Sequence, residues 1–477
     1  MPSHDQMTLP LTQQGGEDSW KARPALILAV LAMASFLGQL DVWITNVGLP
    51  NIGQGVGSAS LSDLSWVLNG YAIVFAALLV PAGRLADRFG RKNGFLLGMG
   101  VFVAASLGAA LSGGVWVLVV FRALQAVGAA LLTPASLGLV LTGAPAGKVE
   151  RYVRIWFTAG SLSGVCGPVF GGLLVQASWR WLFLVNIPFG LLAIALAARL
   201  VSDARHEQDA RVPDLLGGVL LIVVVGALAL GIVKAPGWGW SDTRVVTSLA
   251  VAVVGLVAFL FRSARHRVPV VDLSLFRDRI FASANLAGML QVASFGSLLL
   301  SSILWMQDHW HYSAIRTGCA GLPGPVGFAA AATISETLQR RFRIPAGAVA
   351  AVGSAIASAG ILLFVLLLHD DPNYLSGAFP CWLLFGFGAG LALPAVVSSA
   401  TVGLRPEEAA TGSAIVTMST QIGSVVGISV LVAVLGTASG GASLDTYRHA
   451  WLVTMALMAA AGVVSLAVSQ KRAVPPR

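Results

Sequence analysis

ALILAVLAMASFLGQLDVWITNVG (25–48) is an apolar run with a single acid, Asp41, well inside it. About 20 such residues suffice to cross the hydrocarbon core of a bilayer as a helix. Working outward, thirteen more runs of spanning length follow, at 64–84, 94–113, 116–140, 155–176, 182–202, 214–234, 244–262, 280–303, 315–338, 346–368, 378–402, 410–436 and 448–469. The chain of 477 residues is 56% hydrophobic and only 11% charged. Soluble domains carry roughly 25% charged residues, so a soluble enzyme, a disordered chain and a disulfide-built secreted scaffold are excluded. The reading is an all-α polytopic membrane protein with fourteen spans.

The loops give the orientation. Of 30 Lys and Arg, 24 fall before the first span, in every second loop or after the last span. Five (Arg180, Lys234, Arg244, Arg316 and Arg448) fall on the other side, and Arg122 alone lies deep within a span. Cytoplasmic loops hold the excess of Lys and Arg, so both termini are expected in the cytoplasm. The net charge of +9 then needs no nucleic acid. Residues 1–24 are polar and show no cleavable leader. Cys166, Cys319 and Cys381 sit in apolar runs without a CxxC spacing, which suits small core residues.

The chain also repeats itself. GAALLTP (Gly128–Pro134) in the fourth span matches GAGLALP (Gly388–Pro394) in the twelfth. Gly160, Gly164 and Pro168 in the fifth span match Ser419, Gly423 and Gly427 in the thirteenth, and GRLADRFGRK (Gly83–Lys92) matches ETLQRRFRIP (Glu336–Pro345). Each partner stands eight spans later. Two six-helix halves, 1–202 and 280–477, with two extra helices in a linker at 203–279, reproduce that order. Paired six-helix repeats are a common transporter build.

Charges inside spans carry the chemistry. A charge at the bilayer centre costs about 2.5–3.5 kcal/mol on insertion scales, so it faces a cavity or a partner. Asp41 either loads and releases a proton or fixes helix packing through hydrogen bonds. Arg122 either couples to Asp41, the one deeply placed acid, or is held statically. Gly83, Asp87, Arg88, Gly90 and Arg91 form a basic turn with an embedded acid, which suits a conformational latch or a plain cytoplasmic anchor. Gly164, Gly167, Pro168, Gly171 and Gly172 allow close helix packing. Gln39, Trp43, Asn46, Trp66, Asn69, Tyr71, Gln125, Asn285, Gln291 and Gln421 are candidates to line a substrate cavity, or to pack helices. An aromatic and amide lining suits bulky, lipophilic and often cationic compounds. Asp308 and Glu336, near helix ends, read as solvated acids.

No P-loop is present, so ATP does not drive the protein directly. The seven histidines lie in tails, loops or helix ends, which argues against haem or a metal centre, and no cofactor is expected. A membrane-embedded enzyme would need a nucleophile elbow or HExxH, and neither occurs. A transport-dead sensor would need a further soluble domain.

These segments resemble the major facilitator superfamily, and within it the fourteen-helix drug:proton antiporters. Leu40–Pro50 is similar to that group's first-helix signature, Gly83–Lys92 to the loop 2–3 signature, Arg122–Ala130 to the fourth-helix signature and Gly164–Gly172 to the antiporter signature. Trp179–Gly190 is similar to a stretch common in the fourteen-helix group. Ala126 departs from the fourth-helix pattern, where Gly is usual. In the second half Arg340 stands opposite Asp87 and Glu336 takes the Gly position, so only the first half keeps a full latch. The resemblance implies efflux of a drug or antibiotic across a bacterial cell membrane, driven by inward protons and carried out by a monomer. A dedicated exporter of one endogenous metabolite is the alternative.

Overall fold

The computed structural model describes residues 23–57, 59–145, 147–202, 213–436 and 442–468. Lys21, Arg205, Arg211, Lys471, Arg472 and Arg477, which contribute to the loop charge count, lie outside them. Sixteen α-helices run through the described residues: α1 Pro24–Gly55, α2 Leu61–Phe89, α3 Arg91–Leu111, α4 Val115–Gly143, α5 Val149–Ala177, α6 Trp181–Leu184, α7 Asn186–Leu200, α8 Leu215–Trp238, α9 Thr243–Arg265, α10 Arg279–Asp308, α11 Ala314–Ala320, α12 Pro323–Arg340, α13 Ala346–Leu367, α14 Ala378–Val402, α15 Pro406–Leu435 and α16 Leu444–Ser465. Thirteen of these elements, with α6 and α7 counted as one, are long and apolar enough to cross a membrane. The tenth predicted span is the exception. Gly321 and Leu322 break it into α11 and α12, because Pro323 has no N–H to continue the ladder.

Short polar side chains start many of the helices. Ser60, Asp214, Asp242, Asp278, Ser313 and Ser443 each accept from a backbone N–H in the first turn, which satisfies donors that have no intrahelical partner. Pro50, Pro81, Pro134, Pro168, Pro236 and Pro394 lie inside helices. Neighbouring helices make such interruptions tolerable at membrane depth. Large apolar side chains remain exposed, as along α9 with Val253, Val254, Val257 and Phe261. This is the surface a bilayer would solvate.

The sequence repeat returns as repeated packing. Helix α1 lies on α5, α2 and α3 on α4, and α3 on α7. In the same order, α10 lies on α15, α12 and α13 on α14, and α13 on α16. One close glycine crossing in each set corresponds as well. A Cβ at Gly98 would come within 2.8 Å of the Gly128 carbonyl oxygen, and one at Gly353 within 2.6 Å of that of Gly388. Between the two sets, α2 packs on α15, α5 on α11 and α1 on α10.

The inserted pair α8–α9 meets the rest through α8, which packs on both α2 and α15. Lys234 of α8 donates to Asp63 Oδ1 at 2.6 Å and Ser62 Oγ at 3.0 Å on α2. At the other end Arg262 of α9 donates to the Asp214 carboxylate at 2.7 Å. Of the cysteines, Cys381 is buried and Cys166 partly so, but Cys319 is exposed. The core reading fails for Cys319 because α11 seats Thr317 and Gly318 against the bundle and turns the next position outward.

Candidate functional site: a buried charge cluster and an interhelical cavity

Five helices, α1 to α4 and α7, meet around Asp41. The acid and Arg122 are 0% and 1% exposed. The Arg122 guanidinium donates through Nη1 to Asp41 Oδ2 and, at 3.0 Å, to Gln125 Oε1. Its Nε donates to the Val67 carbonyl of α2 at 3.2 Å. Tyr71 lays its ring 4.3 Å from the guanidinium carbon, a cation–π contact in a dry site. Arg122, Gln125 and Tyr71 reach one point because i and i+3 share a face on α4, and because α2 crosses α4 at Val67 and Tyr71.

The other carboxylate oxygen has two amide donors. Asp41 Oδ1 accepts from Gln125 Nε2 at 3.2 Å and from Asn186 Nδ2 at 2.9 Å. Ser106 of α3 closes the ring: its Oγ accepts from Gln125 at 2.8 Å and lies 3.5 Å from Asn186. A carboxylate with one guanidinium and two amides is well satisfied as an anion. Asn186 and Ser106 were not among the sequence-derived candidates. The available signal was an Asn in an otherwise apolar stretch, LFLVNIPFG.

The basic turn forms a second cluster. Arg91 donates to Asp87 Oδ1 and to the Gly138 carbonyl of α4, both at 2.9 Å. Glycine at 138 leaves room for this contact, since a Cβ there would lie 2.7 Å from Arg91 Nε. Gly90 joins α2 to α3 at φ +99°, which favours glycine. Gly83 sits against Pro134 of α4. Arg88 projects to the surface over Phe89. Arg84 reaches the other helix set, donating to Thr411 Oγ1 at 3.0 Å. In the matching turn, Glu336 and Arg340 make an exposed ion pair.

The small residues of α5 meet two neighbours. Gly164 and Gly167 face Trp43 and Gly171 faces the Ile44 backbone of α1, whereas Gly172 touches Ile315 of α11 and Gly318 of α11 touches Pro168. Thus α5 bridges the two helix sets. Beside it, Trp43 and Pro168 share a cavity of about 30 Å³ with Phe295, Ser302, Met306 and Trp382. Trp43 and Phe295 stand edge to face at 5.6 Å, and Phe295 stacks on Phe385 at 6.0 Å. Trp382 Nε1 is buried there without a hydrogen-bond partner among the described residues. Gln307 of α10 donates to the Val47 carbonyl at 3.2 Å, joining α1 to α10 at the end away from the basic turns.

The remaining cavity candidates are dispersed. Gln39 is exposed beside Gly160 on the α1–α5 face. Asn46 and Asn285 donate to carbonyls of their own helices, of Val42 and Phe281. Trp66 lies 6.4 Å from Trp116. Asn69 crosses to Ser429 Oγ at 3.3 Å, and Gln291 donates to Ser354 at 3.3 Å. Gln421 is partly buried on α15. Asp308 and Glu336 are exposed.

Comparison with known proteins agrees with this architecture. Among solved structures, a peptide-transporter (POT family) structure superimposes with a TM-score of 0.69 over 93% of the chain and 96% of its own, at 14% identity. A bacterial homologue of the human lysosomal transporter Spinster, inward-facing, gives 0.60 over 94% and 99% at 18% identity. The tetracenomycin C resistance and export protein of Streptomyces glaucescens is 32% identical over 96% of this chain and 84% of its own. The multidrug resistance protein Stp of Mycobacterium tuberculosis is 33% identical over 86% and 75%, and the cephamycin export protein CmcT of Amycolatopsis lactamdurans 32% over 90% and 88%. The model of the Major Facilitator Superfamily matches residues 31–428, and with it the chain belongs to that superfamily of multi-pass membrane transporters.

Proposed function

We propose that this chain is a proton-coupled exporter of drugs or antibiotics in a bacterial cell membrane, with both termini cytoplasmic. The observation that carries the reading is the Asp41 cluster. A lone acid 0% exposed inside a span, held by donors from α4 and α7, is expensive to build and is a natural proton carrier. Protonating Asp41 would weaken its hold on Arg122, and through Val67 and Tyr71 change the hold of α4 on α2. Inward protons then supply the free energy for outward substrate movement.

The cavity between the two helix sets is far smaller than the 300–1,000 Å³ of drug-sized sites. A substrate therefore enters only when the sets part, which is alternating access. In this reading 1–202 and 280–477 move as two bodies around the linker helices, within a monomer. Trp43 with Phe295 and Trp382 offers ring faces to a lipophilic substrate. The Asp87–Arg91–Gly138 contact acts as the latch that must rearrange.

The test uses inside-out vesicles with a respiration-generated proton gradient. Dissipation of the gradient by several unrelated lipophilic compounds, lost in Asp41→Asn, supports the proposal. Equal dissipation in both proteins sinks Asp41 as the carrier. A second reading, export of one endogenous metabolite, draws on relatives named for single compounds, tetracenomycin C and cephamycin. A response to one compound alone would select it.

A further inference from the structure

We propose that Asn186 is the positioning residue that lets Asp41 exist in both protonation states, by turning its side-chain amide over each time the proton arrives or leaves; this rests on Asp41 being the proton carrier. Asn186 begins α7 and is 0% exposed. Its Nδ2 donates to Asp41 Oδ1, while its Oδ1 is buried without a hydrogen-bond partner among the described residues. An unpaired buried acceptor is costly in a native interior, and here it belongs to the group that touches the acid.

The chemistry of the neighbours explains what the spare acceptor is for. Oδ2 of Asp41 is taken by Arg122, so a proton from water adds to Oδ1. The new O–H is a donor aimed at two amide N–H groups, Gln125 Nε2 and Asn186 Nδ2. Donor would face donor. Gln125 cannot resolve this, because its own oxygen accepts from Arg122 at 3.0 Å and its nitrogen donates to Ser106. Asn186 can: rotation about its last side-chain bond brings Oδ1 to the O–H. One buried amide atom lacks a partner in either orientation, so Asn186 favours neither form heavily. The proton adds and leaves as H⁺, Arg122 stays charged, and no covalent bond of the amide changes. The charged or titratable side chains facing Asp41 are Arg122 of α4 and Tyr71 of α2; Ser106 of α3 and Asn186 of α7 are neutral.

The experiment is pH-difference infrared spectroscopy on the purified full-length protein in lipid nanodiscs, with proton-driven flux in proteoliposomes beside it. The expected wild-type spectrum has a carboxylic-acid band, absent in Asp41→Asn, accompanied by a side-chain amide change that is absent in both Asn186→Leu and Asn186→Ser. Proton-driven flux should fall about tenfold in Asn186→Leu, the scale of one buried hydrogen bond left unmade. It should recover most of that loss in Asn186→Ser, whose hydroxyl both donates and accepts. An acid band with the amide change intact in Asn186→Ser overturns the role of Asn186 and leaves Asp41 as the carrier. The absence of any Asp41-dependent acid band overturns the proton-carrier reading itself. Because Asn186→Ser is small and polar, it keeps the test decisive should Asn186→Leu fail to fold.

Discussion

Removing either partner of the Asp41–Arg122 pair should not cost the same, and the structure gives the asymmetry. In Arg122→Leu the carboxylate keeps two neutral amide donors, at 2.9 and 3.2 Å, and stays 0% exposed. Breaking a buried pair this way costs about 3–5 kcal/mol. In Asp41→Asn the guanidinium keeps the Gln125 oxygen at 3.0 Å, the Val67 carbonyl at 3.2 Å and the Tyr71 face at 4.3 Å. The substituted amide oxygen still accepts from it, and Asn186 can turn its own oxygen to the new N–H that replaces Oδ1, so the loss is that of one charge-assisted bond, about 1–3 kcal/mol. The double variant removes both charges and should recover about 2 kcal/mol relative to the sum of the singles. Equilibrium unfolding in mixed detergent and dodecyl sulfate micelles, followed by tryptophan fluorescence, measures all four corners. Additivity to within about 0.5 kcal/mol would refute the pair as an energetic unit. So would an Asp41→Asn loss as large as that of Arg122→Leu.

Three further outcomes follow from the geometry. A Cβ at Gly427 would lie 1.9 Å from the Ala293 carbonyl oxygen, whereas one at Gly100 meets nothing within 4 Å. Gly427→Ala should therefore cost upward of about 2 kcal/mol by forcing α15 off α10, and Gly100→Ala should gain up to about 1 kcal/mol from helix propensity, both read in the same unfolding assay. Arg91→Ala, which loses Asp87 and the Gly138 carbonyl, should slow transport severalfold in vesicles, while Arg88→Ala, which loses only an exposed contact with Phe89, should not. Trp382→Ala should weaken substrate affinity about tenfold or more, on the scale of a lost aromatic face, with Trp382→Phe milder, as measured by tryptophan-quenching titration or competition with a fluorescent substrate.

Much of the fold was legible because membrane insertion leaves few options. Apolar length marked the spans, and thirteen of them return as helices long and apolar enough to cross a membrane. The tenth span was legible only in part. The apolar run 315–338 hides a break that GLPGP at 321–325 signals, since Pro323 and Pro325 cannot donate. Pairing of Asp41 with Arg122 was legible by exclusion, each being the sole deep charge of its sign. Asn186 was not, because a single amide in an apolar stretch carries no partner information until α7 is laid beside α1 and α3. Nor could amides such as Asn46 and Asn285 be sorted from sequence. A polar side chain inside a helix can turn back onto its own i−4 carbonyl, as both do.

The repeat also shows where the two halves part company. With Gly128 and Pro134 set against Gly388 and Pro394, Arg122 falls on Trp382 and Gln125 on Phe385. The position that holds a guanidinium and its amide in one half thus holds two rings in the other, packed at 6.1 Å. Both positions are buried on helices that cross their neighbours through equivalent glycines, at Gly98–Gly128 and Gly353–Gly388. Equal backbones with unequal side chains imply a division of labour. A charged cluster responds to protons because its energy changes with protonation state, and a ring cluster responds to apolar surface because its energy changes with burial. On the proposed function, coupling would pass through contacts that join the halves, among them Trp43 on Phe295, Asn69 on Ser429 and Pro168 on Gly318. Trp43 belongs to the same helix as Asp41, two residues on, and it meets the ring cluster through Phe295, which stacks on Phe385 at 6.0 Å. On the proposed role of Asp41, a shift of α1 that followed its protonation would reach the cavity wall through Trp43, which lines that cavity.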